Sequence, residues 1–129
     1  MKCLSIKQPF AVLVVQGRRT IEIRTWNTKF RGEFLVHASQ KIDKEICKLH
    51  NIDPSKLICG AIIGKAFLYD VKEYKSVKEF IKDNSKHLAT ERYVDHKYGF
   101  LLRDAKRLSK PVYMPGRLNF FNVDLFTCT

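Results

Sequence analysis

An apolar run closed at each end by a backbone-restricting residue, Pro9-Phe10-Ala11-Val12-Leu13-Val14-Val15-Gln16-Gly17, leads directly into a run of period two, Arg19-Thr20-Ile21-Glu22-Ile23-Arg24. Proline suits the first turn of a helix and glycine the position just past its end, so the first run predicts a short, largely buried helix. Its β-branched residues make a strand the rival reading. In the second run Ile21 and Ile23 face one way while Thr20, Glu22 and Arg24 face the other, the mark of a strand with one apolar side. A carboxylate and a guanidinium therefore share one strand face, two residues apart.

The rest of the chain continues in short β-rich pieces. Residues 2–6 read as a strand. Turns at Asn27-Thr28 and Arg31-Gly32 precede a strand over 33–38, and Ile42, Ile46 and Leu49 lie at helical spacing in a segment, 42–51, that Asp53-Pro54 ends. Cys59 to Tyr74 is rich in β-branched and aromatic residues, with Gly60 and Gly64 placed to allow a bend or bulge. Ser76-Val77-Lys78-Glu79 is a capping box that opens a helix running to about Asp83, and 84–97 is polar and irregular. A strand from Tyr98 to Ala105 is followed by a break at Lys110-Pro111, a turn at Met114-Pro115-Gly116-Arg117 and a last strand over Phe120–Leu125. Five or six strands with short peripheral helices and no βαβ rhythm predict a small mixed β-barrel of the α+β class, as one domain over residues 1–129.

Size and charge narrow the function. A chain of 129 residues with 45% hydrophobic and 29% charged residues forms one core and is neither disordered nor fibrous. Its 24 Lys+Arg against 13 Asp+Glu leave a net charge of +11, which favours polyanionic partners, nucleic acid before an anionic membrane surface. No apolar run approaches the roughly 20 residues of a bilayer span, and the start, Met1 to Lys7, lacks the features of a secretion signal. The expected location is the cytoplasm, with the nucleus left open. Cysteines 3, 47, 59 and 128 lie too far apart for a short-range metal motif, so they read as structural thiols, and no metal or cofactor is expected.

The segment Gly17-Arg18-Arg19-Thr20-Ile21-Glu22-Ile23-Arg24 resembles the Gly-x-Lys-x-x-Glu-x-Arg hallmark of the ASCH domain, a branch of the PUA-like superfamily, with Arg19 at the lysine position. Leu4-Ser5-Ile6-Lys7-Gln8-Pro9-Phe10 is similar to the family's opening, and Arg31-Gly32 followed by His37-Ala38 to a later segment. Gly60-Ala61-Ile62-Ile63-Gly64, Tyr98-Gly99-Phe100 and Pro115-Gly116 resemble further blocks in the right order. The resemblance covers nearly the whole chain and implies a barrel whose cleft binds RNA or another nucleic acid.

Two readings of the motif stand side by side. Arg24 offers a planar fork to a phosphate or base edge, with Glu22 accepting from an amine; alternatively, the two form an internal salt bridge. Trp26 is either a stacking platform or a core residue. Arg18, Arg19, Lys29 and Arg31 supply phosphate-binding charge around it, and Arg117 and Lys110 belong to a second basic cluster that extends the groove or only solvates an edge. His37, at a strand end, is a structural histidine or a proton-transfer group.

The expected function is a reader that holds single-stranded RNA, or a base, in a basic cleft beside this motif. The alternative is a metal-independent ribonuclease with candidate catalytic residues His37, Lys65 and Tyr98. DNA binding and N-acylcytidine amidohydrolase activity rank lower. The resemblance places the amidohydrolase lysine and threonine at Arg19 and Glu22, where an arginine keeps its proton and a glutamate has no hydroxyl.

Overall fold

A computed structural model describes residues 1–124. Strand β1 (Lys2–Gln8) is followed by helix α1 (Phe10–Val15), β2 (Ile21–Arg24) and β3 (Gly32–Ile42). Then come α2 (Lys44–Leu49), β4 (Ala61–Glu73), α3 (Val77–Lys82), α4 (Asn84–His87), β5 (Tyr98–Tyr113) and β6 (Phe120–Asn122). The six strands form one sheet in the order β2-β5-β4-β3-β1-β6, with β1 parallel to β3 and the other pairs antiparallel. The α+β class and the strand number are as the sequence predicts, and Leu125 and Cys128 lie outside the described residues.

The sheet curls without closing by hydrogen bonds, an open form of the expected barrel. Its edge strands are short, four residues in β2 and three in β6. Aromatic rings join them instead. Trp26, just past β2, meets Phe120 of β6 edge-on at 6.0 Å and Phe100 of β5 at 5.4 Å, while Phe100 and Phe120 stack at 6.2 Å. Phe100 belongs to the main core, with Leu4, Ile6, Ile21, Phe34 and Leu68, and the partly buried Trp26 and Phe120 pack against it.

Helix α1 ends as its bracketing predicts. The Gly17 N–H donates to Val14 O and the Arg18 N–H to Leu13 O, a Schellman closure that requires the positive φ of 76° at Gly17. The helix lies against Gly64, where an added Cβ would stand 2.4 Å from Val15 Cγ1 and 2.5 Å from Lys106 O. Gly64 adjoins a register shift between β4 and β5, as expected of it.

Other boundaries move for local reasons. Pro111 does not end β5, because it falls where the register with β4 slips between Arg107↔Gly64 and Val112↔Ile62, a bulge that needs no donor from proline. β3 runs on to Ile42, and Asp43 starts α2 by accepting from the Ile46 N–H at 3.1 Å. Within 84–97, expected to be irregular, α4 and a 3-10 turn over Glu91–Tyr93 bury His87 and Tyr93. Both elements are too short to leave a periodic trace in the sequence.

Candidate nucleic-acid interface

The Schellman turn at Gly17 sends the chain back beneath α1 and buries the side chain of Arg19. Its guanidinium carbon sits 4.2 Å from the centre of the Phe10 ring, Nε donates to the His87 carbonyl at 2.6 Å, and Nη1 donates to Glu22 Oε1. Glu22 also accepts from the Ile23 N–H at 3.0 Å and, through Oε2, forms an ion pair with Arg24 Nη2 at 3.1 Å. Arg24 Nη2 donates in addition to the Ser5 carbonyl at 2.6 Å. The motif thus builds an Arg-Glu-Arg chain that runs from the core outward and ties β2 to β1.

Arg19 and Glu22 are 1% and 3% exposed, so neither forms part of an open phosphate-binding surface, which corrects their placement among the surface contacts. Burial works to raise the Glu22 carboxyl, but the Arg19 and Arg24 guanidiniums outweigh it and hold the group below the usual carboxylate range. Burial lowers the Arg19 guanidinium against the pull of Glu22, yet arginine remains charged. Arg24 alone of the three keeps partial access, its side chain 21% exposed.

Arg24 opens onto a cleft of about 800 Å³. Its cationic lining is Lys7, Arg24, Lys41 and Arg117, it includes Trp26, and among the described residues no Asp or Glu lines it. Two other large depressions lack that uniform sign: one near α2 and α4, about 530 Å³, includes Glu45 and Glu91, and one beside α2, about 580 Å³, includes Asp43 and Glu45. The far wall of the cleft is the Met114–Asn119 segment, anchored where the Met114 N–H donates to Gly60 O at 3.0 Å. Gly116 packs so tightly that a Cβ would stand 2.7 Å from Ser5 Oγ and 2.9 Å from His37 Cε1.

His37 lines this cleft as a fixed strut. It is 1% exposed, with Nδ1 2.9 Å from Ser5 Oγ and Nε2 2.7 Å from the Met114 carbonyl. The carbonyl can only accept, so Nε2–H donates to it, while Nδ1 shares a hydrogen bond with the Ser5 hydroxyl. Lys65, on β4, pairs with Glu33 at 3.2 Å, and Tyr98, on β5, packs against the main core opposite Arg24; neither lines the cleft. The three candidate catalytic residues are therefore not gathered into one site.

Among the expected nucleic-acid contacts, the cleft gathers Arg24, Trp26 and Arg117. Arg18, Lys29 and Lys110 are exposed outside its lining, and Arg31 is engaged with the carbonyls of Thr28 and Phe30 and with Asp70 at 3.7 Å. Sequence reasoning missed Lys7 and Lys41. Lys7 was accessible to the period-two rule, since Leu4 and Ile6 point inward and Ser5 and Lys7 outward on β1. Lys41 was hidden because β3 continues past the predicted strand end. Among the described residues, no group of three or more His, Cys, Asp or Glu side chains is placed to hold a metal.

A family model of the ASCH domain matches residues 4–110. The chain belongs to the ASCH domain family. That family is generally considered RNA-binding. This ASCH domain is similar to Activating signal cointegrator 1 of Homo sapiens, 30% identical over an alignment of 95 residues that covers 64% of this chain and 16% of that protein. It spans only that small share of its human relative. The crystal structure of ASCH from Zymomonas mobilis superposes with a TM-score of 0.71 at 16% identity, covering 98% of this chain and 90% of that one. A mutant form of the same bacterial protein gives 0.69 at 16% identity, covering 98% and 92%. At such identity the likeness is one of fold.

Proposed function

We propose that this ASCH domain binds single-stranded RNA, with the strand entering the cleft between β1, β2 and the Met114–Asn119 segment. The observation that carries the reading is the sign of the lining: among the described residues, four Lys or Arg side chains and no carboxylate around a space of about 800 Å³. Such a wall attracts phosphates and gains from counterion release. Arg24 meets the strand already oriented, since Glu22 and the Ser5 carbonyl fix its Nη2. Trp26, partly exposed and held edge-on by Phe100 and Phe120, borders the same space. Stacking a base on such a ring is worth about 1–3 kcal/mol.

A reader fits these residues better than a nuclease. Both His37 nitrogens are engaged within the protein, and Lys65 and Tyr98 stand outside the cleft. The test is an anisotropy titration of labelled RNA, single-stranded DNA and duplex DNA at two salt concentrations, with each sample then run on a denaturing gel. Salt-sensitive binding that favours RNA and leaves it intact is expected. Preference for DNA overturns the choice of RNA, shortened RNA overturns the choice of reader over nuclease, and absence of binding overturns the reading altogether.

A further inference from the structure

A second, much smaller pocket shares Lys7 and Arg24 with the cleft. Its volume is about 100 Å³, and its polar lining is Lys7, Arg19, Glu22, Arg24, Tyr93 and His96. Among the described residues three buried side-chain polar atoms have no hydrogen-bond partner, and two of them, Arg19 Nη2 and Arg24 Nε, belong to residues of this wall. Nearly every other polar contact of these two side chains is accounted for: Arg19 Nε by a carbonyl, Arg19 Nη1 by Glu22, and Arg24 Nη2 by Glu22 and Ser5. Lys7 Nζ donates to Tyr93 Oη at 3.2 Å and has two further protons to give. Among the described residues Glu22 is the single carboxylate of the lining, and both its oxygens are paired with arginines.

We infer that this pocket binds a phosphate group. Leaving a buried guanidinium N–H without an acceptor is costly, and the wall carries three full cations, Lys7, Arg19 and Arg24, against one carboxylate. Water would meet the hydrogen-bonding need but not the charge. The space is also several times the roughly 10–15 Å³ that one water requires. A tetrahedral oxyanion presents acceptors in several directions at once, which suits a lining whose cationic residues come from β1, from β2 and from the turn between α1 and β2. Apolar side chains of Ile6, Phe10 and Ile23 complete the wall, so the pocket suits a terminal phosphate rather than a diester with chain on both sides.

The phosphate comes either from the end of a nucleic acid lying in the cleft, which rests on the function proposed above, or from free phosphate, which does not. Two measurements separate these sources. The Nε–H signals of Arg19 and Arg24 are followed by NMR while inorganic phosphate is added, with chloride at matched ionic strength as control. In parallel, RNAs identical except for a 5′-phosphate, a 3′-phosphate or hydroxyl ends are titrated against the protein and against Lys7→Met.

Phosphate but not chloride is expected to shift both arginine signals. One phosphorylated RNA should bind about 10-fold more tightly than the hydroxyl-ended one, the worth of one charge-assisted hydrogen bond. Lys7→Met should shrink that ratio whatever it does to RNA affinity overall. Shifted signals with equal RNA affinities assign the pocket to free phosphate, and shifted signals without RNA binding refute the cleft reading while the pocket stands. Signals unmoved by phosphate, with all three RNAs binding alike, overturn the inference and leave the pocket to water.

Discussion

Replacing Glu22 with alanine should be among the most destabilising single changes in this domain, although it lies on what the sequence presents as a charged strand face. The carboxylate is 3% exposed, accepts from Arg19 and the Ile23 N–H, and forms an ion pair with Arg24. Without it Arg19, whose side chain is fully buried, keeps its charge but loses its only carboxylate partner. Removing one member of a buried ion pair costs about 3–5 kcal/mol, because the other is left uncompensated. At roughly 3–5 °C per kcal/mol for a chain of this length, the melting temperature should fall by about 9–25 °C. Urea and thermal unfolding of Glu22→Ala, Arg19→Met and the double variant form the assay. The double variant should be less destabilised than the sum of the singles, since it removes the stranded charge along with its partner. A pH series adds a check: a carboxyl held below its ordinary 4.5 contributes stability that is present above that value and is lost as pH falls through the lowered one. A Glu22→Ala domain within about 1 kcal/mol of the parent, or strictly additive singles, would refute this reasoning.

Three further outcomes are expected. His87 is buried, stacked on Phe80 at 4.3 Å, with Nε2 2.8 Å from Phe80 O and Nδ1 accepting from the Ala89 N–H; burial lowers its pKa from 6.5. The unfolded chain therefore binds a proton that the folded one does not, so urea stability should decline as pH drops below about 6.5, and His87→Gln should flatten that part of the profile. Gly64→Ala should cost about 1–3 kcal/mol by urea unfolding, because the new methyl meets a backbone carbonyl as well as Val15. Gly17→Ala meets no atom within 4 Å but must hold a φ of 76°, and should cost about 1–2 kcal/mol in the same assay.

The elements legible in the sequence were those with their own punctuation. Pro9 and Gly17 bracketed α1, alternation exposed β2, and Ser76 with Glu79 marked α3. Serine 76 indeed accepts from the Glu79 N–H at 3.2 Å. What escaped depended on distant partners. The persistence of β5 through Pro111 needs a bulge against β4, and the burial of His87 needs Phe80 and Arg19. The site was legible to the same degree: Arg24 and Trp26 could be picked out as residues of one short segment. The inward turn of Arg19 follows from the Schellman closure and the Phe10 ring, and neither is visible in a pattern of charges. Lys7, Lys41 and Arg117 meet only because β1, β3 and the segment before β6 converge.

The measurement that bears most directly on the central claim is a comparison of two charge-matched triple variants in RNA titrations across a range of salt. Lys7→Ala, Lys41→Ala and Arg117→Ala together remove three of the four cations of the cleft, while Arg18→Ala, Lys29→Ala and Lys110→Ala remove the same formal charge from exposed positions outside it. The cleft variant should lose at least about 10-fold in affinity, and its salt slope should flatten by about 0.7 for each phosphate contact removed. The outer variant should stay close to the parent. Equal losses from the two would contradict the account and reduce the cleft to one part of a generally basic surface.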